Sequence, residues 1–164
     1  MPVKRGKTQG IICVLVFLAV LALDQVTKSI VHSTFSAGQS VPIVKNALHF
    51  TFVRNTGAAF GLFKNSTNFF VLVSILAVAF ISVVIYRSVR KGEFLNNYFC
   101  NFGLILVMAG AFGNLIDRVR FSYVIDFIDV RIWPVFNIAD SAITIGSVIL
   151  VIAMLGQRRQ IDKP

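Results

Sequence analysis

The chain has 164 residues, of which 56% are hydrophobic and 14% charged, and it carries a net charge of +9 at pH 7. Soluble domains are typically about 45–50% apolar and about 25% charged, so this composition excludes disorder and argues against an ordinary soluble globule. Two cysteines are too few for a disulfide scaffold. Only seven residues are acidic, and in so apolar a chain each carboxylate is expected to have a partner or a function.

Four segments are apolar enough to cross a bilayer, which takes about 20 mostly apolar residues. The sequence predicts spans over about residues 10–31, 69–86, 97–116 and 135–155. The first segment has the basic start and apolar run of a secretory signal peptide, but it lacks a small-residue cleavage pattern, so we interpret it as a retained span. The sequence therefore predicts an all-α integral membrane protein with a single domain of four transmembrane helices.

Basic residues indicate how these spans are oriented. Nine of them lie in residues 1–9, 87–95 and 157–164, whereas the longer segments 32–68 and 117–134 hold six. The positive-inside rule therefore predicts that both termini are cytoplasmic and that segments 32–68 and 117–134 are on the outer side. Because topology explains the excess of basic residues, nucleic-acid binding is not expected.

The outer segment 32–68 contains a pattern typical of a β-strand. Apolar Leu48, Phe50 and Phe52 alternate with the residues that follow them, and Asn55-Thr56-Gly57 is a turn signal. We therefore predict a small β element and a loop on the outer face of the membrane.

The seven acidic residues are distributed unevenly across the membrane. Glu93 and Asp162 lie among basic residues on the cytoplasmic side, where we expect solvated loop charges. The others map to the outer ends of spans or to the loop between the third and fourth spans, and they are Asp24, Asp117, Asp126, Asp129 and Asp140. A buried carboxylate is costly in a membrane, so this one-sided set marks the candidate site.

Two pairs of polar residues in this region are separated by four positions, which places each pair on one face of a helix. Lys28 follows Asp24 by four residues, the favoured orientation for an ion pair on a helix, and we interpret this pair first as structural. Asn114 and Arg118 have the same spacing, with Asp117 beside them. Asp117 and Arg118 either end the third span or orient nearby carboxylates.

Asp126 and Asp140 lack a neutralising neighbour along the chain. Asn137 precedes Asp140 by three residues, which would place both on one face of the fourth helix. Two carboxylates that meet in a low-dielectric site share one proton, and such a pair can activate water and protonate a leaving group. Asp129 is the rival to Asp126, although its spacing favours a surface or hydrogen-bonding role.

Other chemistries have less support. His32 and His49 are the only histidines and lack a ligand motif, so no metal site is predicted. A transporter or proton relay needs polar groups through the whole membrane depth, whereas the second span offers only Ser74 and Ser82. A non-enzymatic membrane scaffold would leave the buried acids unexplained.

Five sequence motifs resemble those of one enzyme family. They are Leu23-Asp24-Gln25-Val26-Thr27-Lys28, Arg54-Asn55-Thr56-Gly57-Ala58-Ala59-Phe60, Gly110-Ala111-Phe112-Gly113-Asn114-Leu115-Ile116-Asp117-Arg118, Val124-Ile125-Asp126-Phe127 and Phe136-Asn137-Ile138-Ala139-Asp140-Ser141. In this order, and with the four-span layout, the chain resembles the lipoprotein signal peptidases, also called type II signal peptidases. The resemblance covers nearly the whole chain.

The resemblance implies an aspartic endopeptidase of the bacterial cytoplasmic (inner) membrane with its active site on the outer side. Its partners would be membrane lipid and the signal peptides of prolipoproteins whose cysteine carries diacylglycerol, and it would cut before that cysteine. It would need no metal or organic cofactor, and we expect a monomer. By motif, Asp126 and Asp140 are the catalytic pair. The supporting or substrate-binding residues would be Asp24, Lys28, Asn55, Gly57, Asn114, Arg118 and Asn137. Family members carry a small β cradle and a mobile outer segment, which residues 38–67 would supply.

Overall fold

A computed structural model of the chain describes residues 2–57, 67–91 and 98–161. Its elements in chain order are α1 (Pro2–Thr34), β1 (Ser40–Val44), β2 (Leu48–Asn55), α2 (Thr67–Arg90), α3 (Tyr98–Phe121), β3 (Val124–Asp129) and α4 (Ile138–Ile161). Each helix is long and apolar enough to cross a membrane. Together with the small three-stranded sheet, the helices confirm the predicted fold class.

The helices differ from the predicted spans at the ends that matter for the site. α3 continues to Phe121 instead of ending near residue 116, so Asp117 and Arg118 belong to the helix. α4 begins at Ile138 instead of residue 135, because Phe136 forms a β-bridge with Ile128. The predicted start of the third span at residue 97 lies outside the described residues.

The helix α3 is central, and the other three helices pack around it. Half of the residues in its apolar segment are buried, whereas only 6% are buried in the corresponding segments of α1 and α2. Glycines allow α3 and α4 to approach closely: a Cβ atom on Gly146 would lie 2.7 Å from the carbonyl oxygen of Gly103, and one on Gly110 would clash with the carbonyl oxygen of Ala139. Small residues at such crossings are the usual solution in membranes, where packing replaces the hydrophobic driving force.

The antiparallel sheet, in the order β1-β2-β3, packs against the C-terminal ends of α1 and α3. Val31 of α1 packs against Phe52, Ile125 and Phe127 in a buried apolar cluster. Because successive side chains of a strand point to opposite faces, Asp126 projects away from this cluster. Its Cα partner in the sheet is Val53. β2 contains the predicted strand, whereas the remaining part of the predicted outer segment, residues 58–66, lies outside the described residues.

Candidate active site

Asp126 and Asp140 meet at Asn137, which lies between them in the chain. The Asn137 side-chain Nδ2 donates a hydrogen bond to Asp126 Oδ1 (2.7 Å), and its backbone amide donates to Asp140 Oδ2 (3.2 Å). Asn137 Oδ1 in turn accepts a hydrogen bond from the Asp140 backbone amide (2.8 Å). This reciprocal pair is a helix capping arrangement. Asn137 and Asp140 therefore face each other, but Asn137 caps α4 from outside and does not belong to the helix as predicted.

Asp126 is 1% exposed, and its surroundings oppose ionisation. Burial and then the charge of Asp140 raise the pKa of Asp126 to about 7, although hydrogen bonds from Asn55 and Asn137 and the charge of Lys28 lower it. Near neutral pH this carboxyl group therefore exists in both protonation states. Such a pKa suits general acid and base catalysis.

Asn55 is held so that its amide nitrogen points to Asp126. The backbone amide of Gly57 donates a hydrogen bond to Asn55 Oδ1 (3.0 Å), which leaves Nδ2 to donate to Asp126 Oδ2 (2.9 Å). Each oxygen of Asp126 thus accepts one amide hydrogen bond, from Asn55 and from Asn137.

Asn114 plays the corresponding part for Asp140. The Lys28 ammonium group donates a hydrogen bond to Asn114 Oδ1 (2.9 Å), so the amide nitrogen of Asn114 faces Asp140 and donates to Oδ1 (2.8 Å). Asn137 Nδ2 also approaches Asn114 Oδ1 (3.1 Å), which joins the two halves of the site. The side-chain orientation of Asn114 is therefore fixed by a buried cation.

Lys28 lies in a buried ion cluster with two carboxylates. Its Nζ atom is 2.9 Å from Asp24 Oδ2 and 3.0 Å from Asp117 Oδ2, and both lysine and aspartate side chains are almost fully buried. The predicted ion pair between Asp24 and Lys28 is confirmed. Asp117 of α3 also pairs with Lys28, so its role is not limited to ending the third span. Asp24 and Asp117 together exceed the lysine by one negative charge, and hydrogen-bond donors are needed to stabilise the surplus.

Three further donors supply that stabilisation. Gln25 Nε2 donates to both Asp24 and Asp117 (3.1 Å each), the Ala139 amide donates to Asp24 (2.9 Å), and the Ile125 amide donates to Asp117 (3.1 Å). The cluster thereby connects α1, α3, β3 and α4 beneath the two candidate catalytic residues. Sequence reasoning missed Gln25, although a polar side chain beside Asp24 in an apolar helix was a usable signal.

Arg118 faces the same site from α3. Its guanidinium contacts the Ser74 hydroxyl (3.3 Å) and lies 5.4 Å from the ring centroid of Phe70, both on α2. In the described part of the chain it forms no ion pair at contact distance, so its donors remain directed to a cleft. Sequence analysis did not identify Ser74 or Phe70 as site residues.

The cleft has a volume of about 830 Å³ and is lined by both polar and apolar residues. Asn55, Asp126 and Asp140 lie at its polar end, while α2 contributes residues such as Val73 and Ala77. α2 and α4 pack mainly on α3 instead of on each other, so the cleft extends between them into the membrane-spanning part. An apolar chain attached to a polar group could occupy such a space.

Asp129, the rival to Asp126, points elsewhere. Its carboxylate accepts hydrogen bonds from Thr51 Oγ1 (2.9 Å), the Arg131 amide (2.9 Å) and the Arg131 guanidinium (3.0 Å). It does not line the cleft, and the predicted hydrogen-bonding role is confirmed. Within the described ranges, no group of three or more His, Cys, Asp or Glu side chains could hold a metal ion.

Comparison with known proteins supports one family. The family described as signal peptidase (SPase) II matches residues 16–156 of the chain. The chain belongs to this family. A lipoprotein signal peptidase of Moorella thermoacetica is 47% identical over 136 residues, covering 83% of this chain and 87% of that protein. Another, from Halothermothrix orenii, is 37% identical over 145 residues and covers 88% and 96%.

Solved structures agree with this membership. A bacterial membrane enzyme determined by the in meso method superposes with a TM-score of 0.81 at 34% identity, covering 93% of this chain and 92% of that chain. A second bacterial membrane enzyme gives a TM-score of 0.76 at 37% identity, with 87% and 92% covered. The chain is therefore a multi-pass bacterial membrane protein and, as a signal peptidase, a protease.

Proposed function

We propose that the chain removes signal peptides from prolipoproteins that carry diacylglycerol, cutting before the lipidated cysteine with water activated between Asp126 and Asp140. Family membership and the names of the relatives support signal-peptide removal from prolipoproteins. The observation that supports the aspartate mechanism is that Asp126 and Asp140 both line one cleft and both hydrogen-bond to one buried residue, Asn137.

The two carboxyl groups have different environments and hence different roles. Asp140 accepts hydrogen bonds from Asn114 and from the Asn137 amide, and it lies in the first turn of α4, where the helix dipole favours a negative charge. Asp126, with a pKa of about 7, is the better holder of the shared proton. In this assignment ionised Asp140 removes a proton from water as the water oxygen attacks the scissile carbonyl carbon.

The remaining proton transfers close the cycle. Asp126 donates its proton to the carbonyl oxygen as the tetrahedral intermediate forms, and the intermediate collapses when the peptide nitrogen receives the proton held by Asp140. The C–N bond breaks, and the carbonyl oxygen returns its proton to Asp126. Asn55 and Asn114 keep the carboxyl groups oriented throughout.

The substrate class follows from the position of the cleft. A diacylglyceryl group keeps the substrate in the bilayer, and the opening between α2 and α4 would admit it sideways while the Arg118 guanidinium binds peptide carbonyl oxygens. The positive-inside rule predicts that both termini are cytoplasmic, so the site would act on the outer side of the bacterial cytoplasmic membrane.

The direct test is incubation of the purified protein with a diacylglyceryl-modified precursor, followed by electrophoresis and mass spectrometry of the products. We expect one new N-terminus at the lipidated cysteine. The matched substrate is the same precursor without the lipid, which should be cleaved far more slowly. Equal cleavage of both precursors, or a cut elsewhere, would contradict the proposed specificity.

The raised pKa of Asp126 predicts a pH dependence of activity. Because Asp126 has to hold the shared proton, kcat/KM should have two limbs, and the alkaline limb should fall as the pH rises through about 7. Asn55→Ala removes a hydrogen bond that lowers this pKa, so its alkaline limb should move to higher pH, with reduced turnover. A profile of the Asn55→Ala protein that superposes on the wild-type limb would exclude this role of Asn55.

The same group affects stability with a defined sign. The pKa of Asp126 is raised from its ordinary value of 3.8 to about 7 in the folded protein. Its contribution to stability is therefore fully present below about pH 4 and is lost as the pH rises through about 7. Thermal unfolding in detergent between pH 5 and pH 8 should show this loss for the wild type and not for Asp126→Asn.

A further inference from the structure

The loop between β3 and α4 exposes an apolar tip. Ile132 is 92% exposed and the adjacent Trp133 is 60% exposed, although both lie outside the predicted spans. The tip follows a tight turn in which the Ile132 amide donates to the Val130 carbonyl oxygen (2.8 Å), with Arg131 at a positive φ of 66°. An isoleucine and a tryptophan displayed together at the end of a loop indicate a surface that is covered by something apolar.

The position of the tip identifies that partner. Trp133 lies five residues before the start of α4, whose outward side chains Ile145 and Val148 are more than half exposed, as expected for contact with lipid. The short connection keeps the tip close to the end of α4, near the level at which we expect this helix to leave the membrane. Tryptophan is enriched at this level because its ring is apolar and its indole N–H is polar.

The charged neighbour of the tip fits the same environment. The Arg131 side chain is 48% exposed although it pairs with Asp129 at 3.0 Å, so part of the guanidinium remains open to a second anionic group. A basic side chain beside a tryptophan and an aliphatic residue is the usual composition of a segment that lies between lipid headgroups and acyl chains.

We propose that Ile132 and Trp133 anchor the β3–α4 loop in the outer leaflet, at the boundary between headgroups and acyl chains. Trp133 also lines the cleft that contains Asp126 and Asp140, so this anchor sets the cleft mouth at the lipid surface. The anchor concerns the placement of a loop in the bilayer and does not depend on the cleavage reaction.

The experiment uses the fact that Trp133 is the only tryptophan in the chain. The full-length protein is placed in nanodiscs that contain phosphatidylcholine brominated near the headgroup, in mid-chain or near the chain end. We expect Trp133 fluorescence to be quenched most by the shallow bromines and little by aqueous iodide. As a depth standard, Trp133→Phe/Val148→Trp places the fluorophore about 15 Å further along α4 and should be quenched most by deep bromines.

A second pair of variants tests whether the tip itself holds the loop in lipid. Ile132→Asp should lower the quenching of Trp133 by shallow bromines toward the level in unbrominated lipid and raise the quenching by iodide. Ala37→Asp, which adds the same charge to an exposed turn after α1, should change neither. Strong iodide quenching of the wild type without bromolipid quenching would overturn the proposal and point to a soluble partner. A depth profile equal to that of the Val148→Trp standard would overturn it as well.

Discussion

Asp126→Asn and Asp140→Asn are each expected to lower turnover of a lipidated precursor by roughly 10²–10⁴-fold, the contribution of a positioned general acid or base. Asparagine keeps the size of either side chain but can neither hold the shared proton nor accept one from water. The double variant should lose little more than either single variant, because the two groups act as a unit. Single-turnover cleavage in detergent or nanodiscs measures all three.

Asp129→Asn is the matched control for this experiment. It removes a carboxylate from the same strand as Asp126, but its contacts with Thr51 and Arg131 lie outside the cleft. We expect it to keep turnover close to that of the wild type. Near-normal cleavage by either Asp126→Asn or Asp140→Asn would eliminate the aspartate mechanism.

Lys28→Met should cause the largest loss of stability of any single change at the site, about 3–5 kcal/mol. Methionine fills a similar volume, but it leaves Asp24 and Asp117 facing each other without the cation that now lies 2.9 and 3.0 Å away. Asn114 would also lose the donor that fixes its orientation toward Asp140. Thermal unfolding of the purified protein and its yield in the membrane fraction both report the loss.

The chain offers a control and a compensating change for this prediction. Lys45 is exposed at the turn between β1 and β2, and Lys45→Met should leave the unfolding temperature almost unchanged. Adding Asp24→Asn and Asp117→Asn to Lys28→Met removes both uncompensated charges and should recover a large part of the stability, but not the turnover. A single Lys28→Met protein as stable as Lys45→Met would show that the cluster is hydrated and contributes little.

Sequence reasoning reached the parts of this structure that depend on composition and short spacing. The four helices follow from hydropathy, and the Asp24–Lys28 pair follows from a separation of four residues on one helix. The convergence of Asp126 and Asp140 was inferred because only 14 positions separate them and the loop between them leaves the membrane surface and returns. Hydropathy and helical spacing are properties of one segment, and the scarcity of acidic residues is a property of the composition.

The remaining features depend on pairing between distant segments. β1 is entirely exposed and β3 is almost entirely buried, so neither has the alternating pattern that identified β2. Gln25 contacts Asp117, 92 residues away. Asn137 was assigned to the first turn of the fourth helix because spacing alone cannot tell a cap from the first turn. The β-bridge between Phe136 and Ile128 shows that the helix begins after Asn137.

The two roles of Asn137 have a consequence for how the protein is made. Asn137 caps α4 and also hydrogen-bonds to both Asp126 and Asp140. Ordering the first turn of the last helix and bringing together the proposed catalytic pair are therefore one event. Until the C-terminal span has entered the membrane and docked on α3, the chain holds Asp126 without its partner. In the proposed aspartate mechanism, the protease should therefore be inactive during its own synthesis and become active only when its insertion is finished.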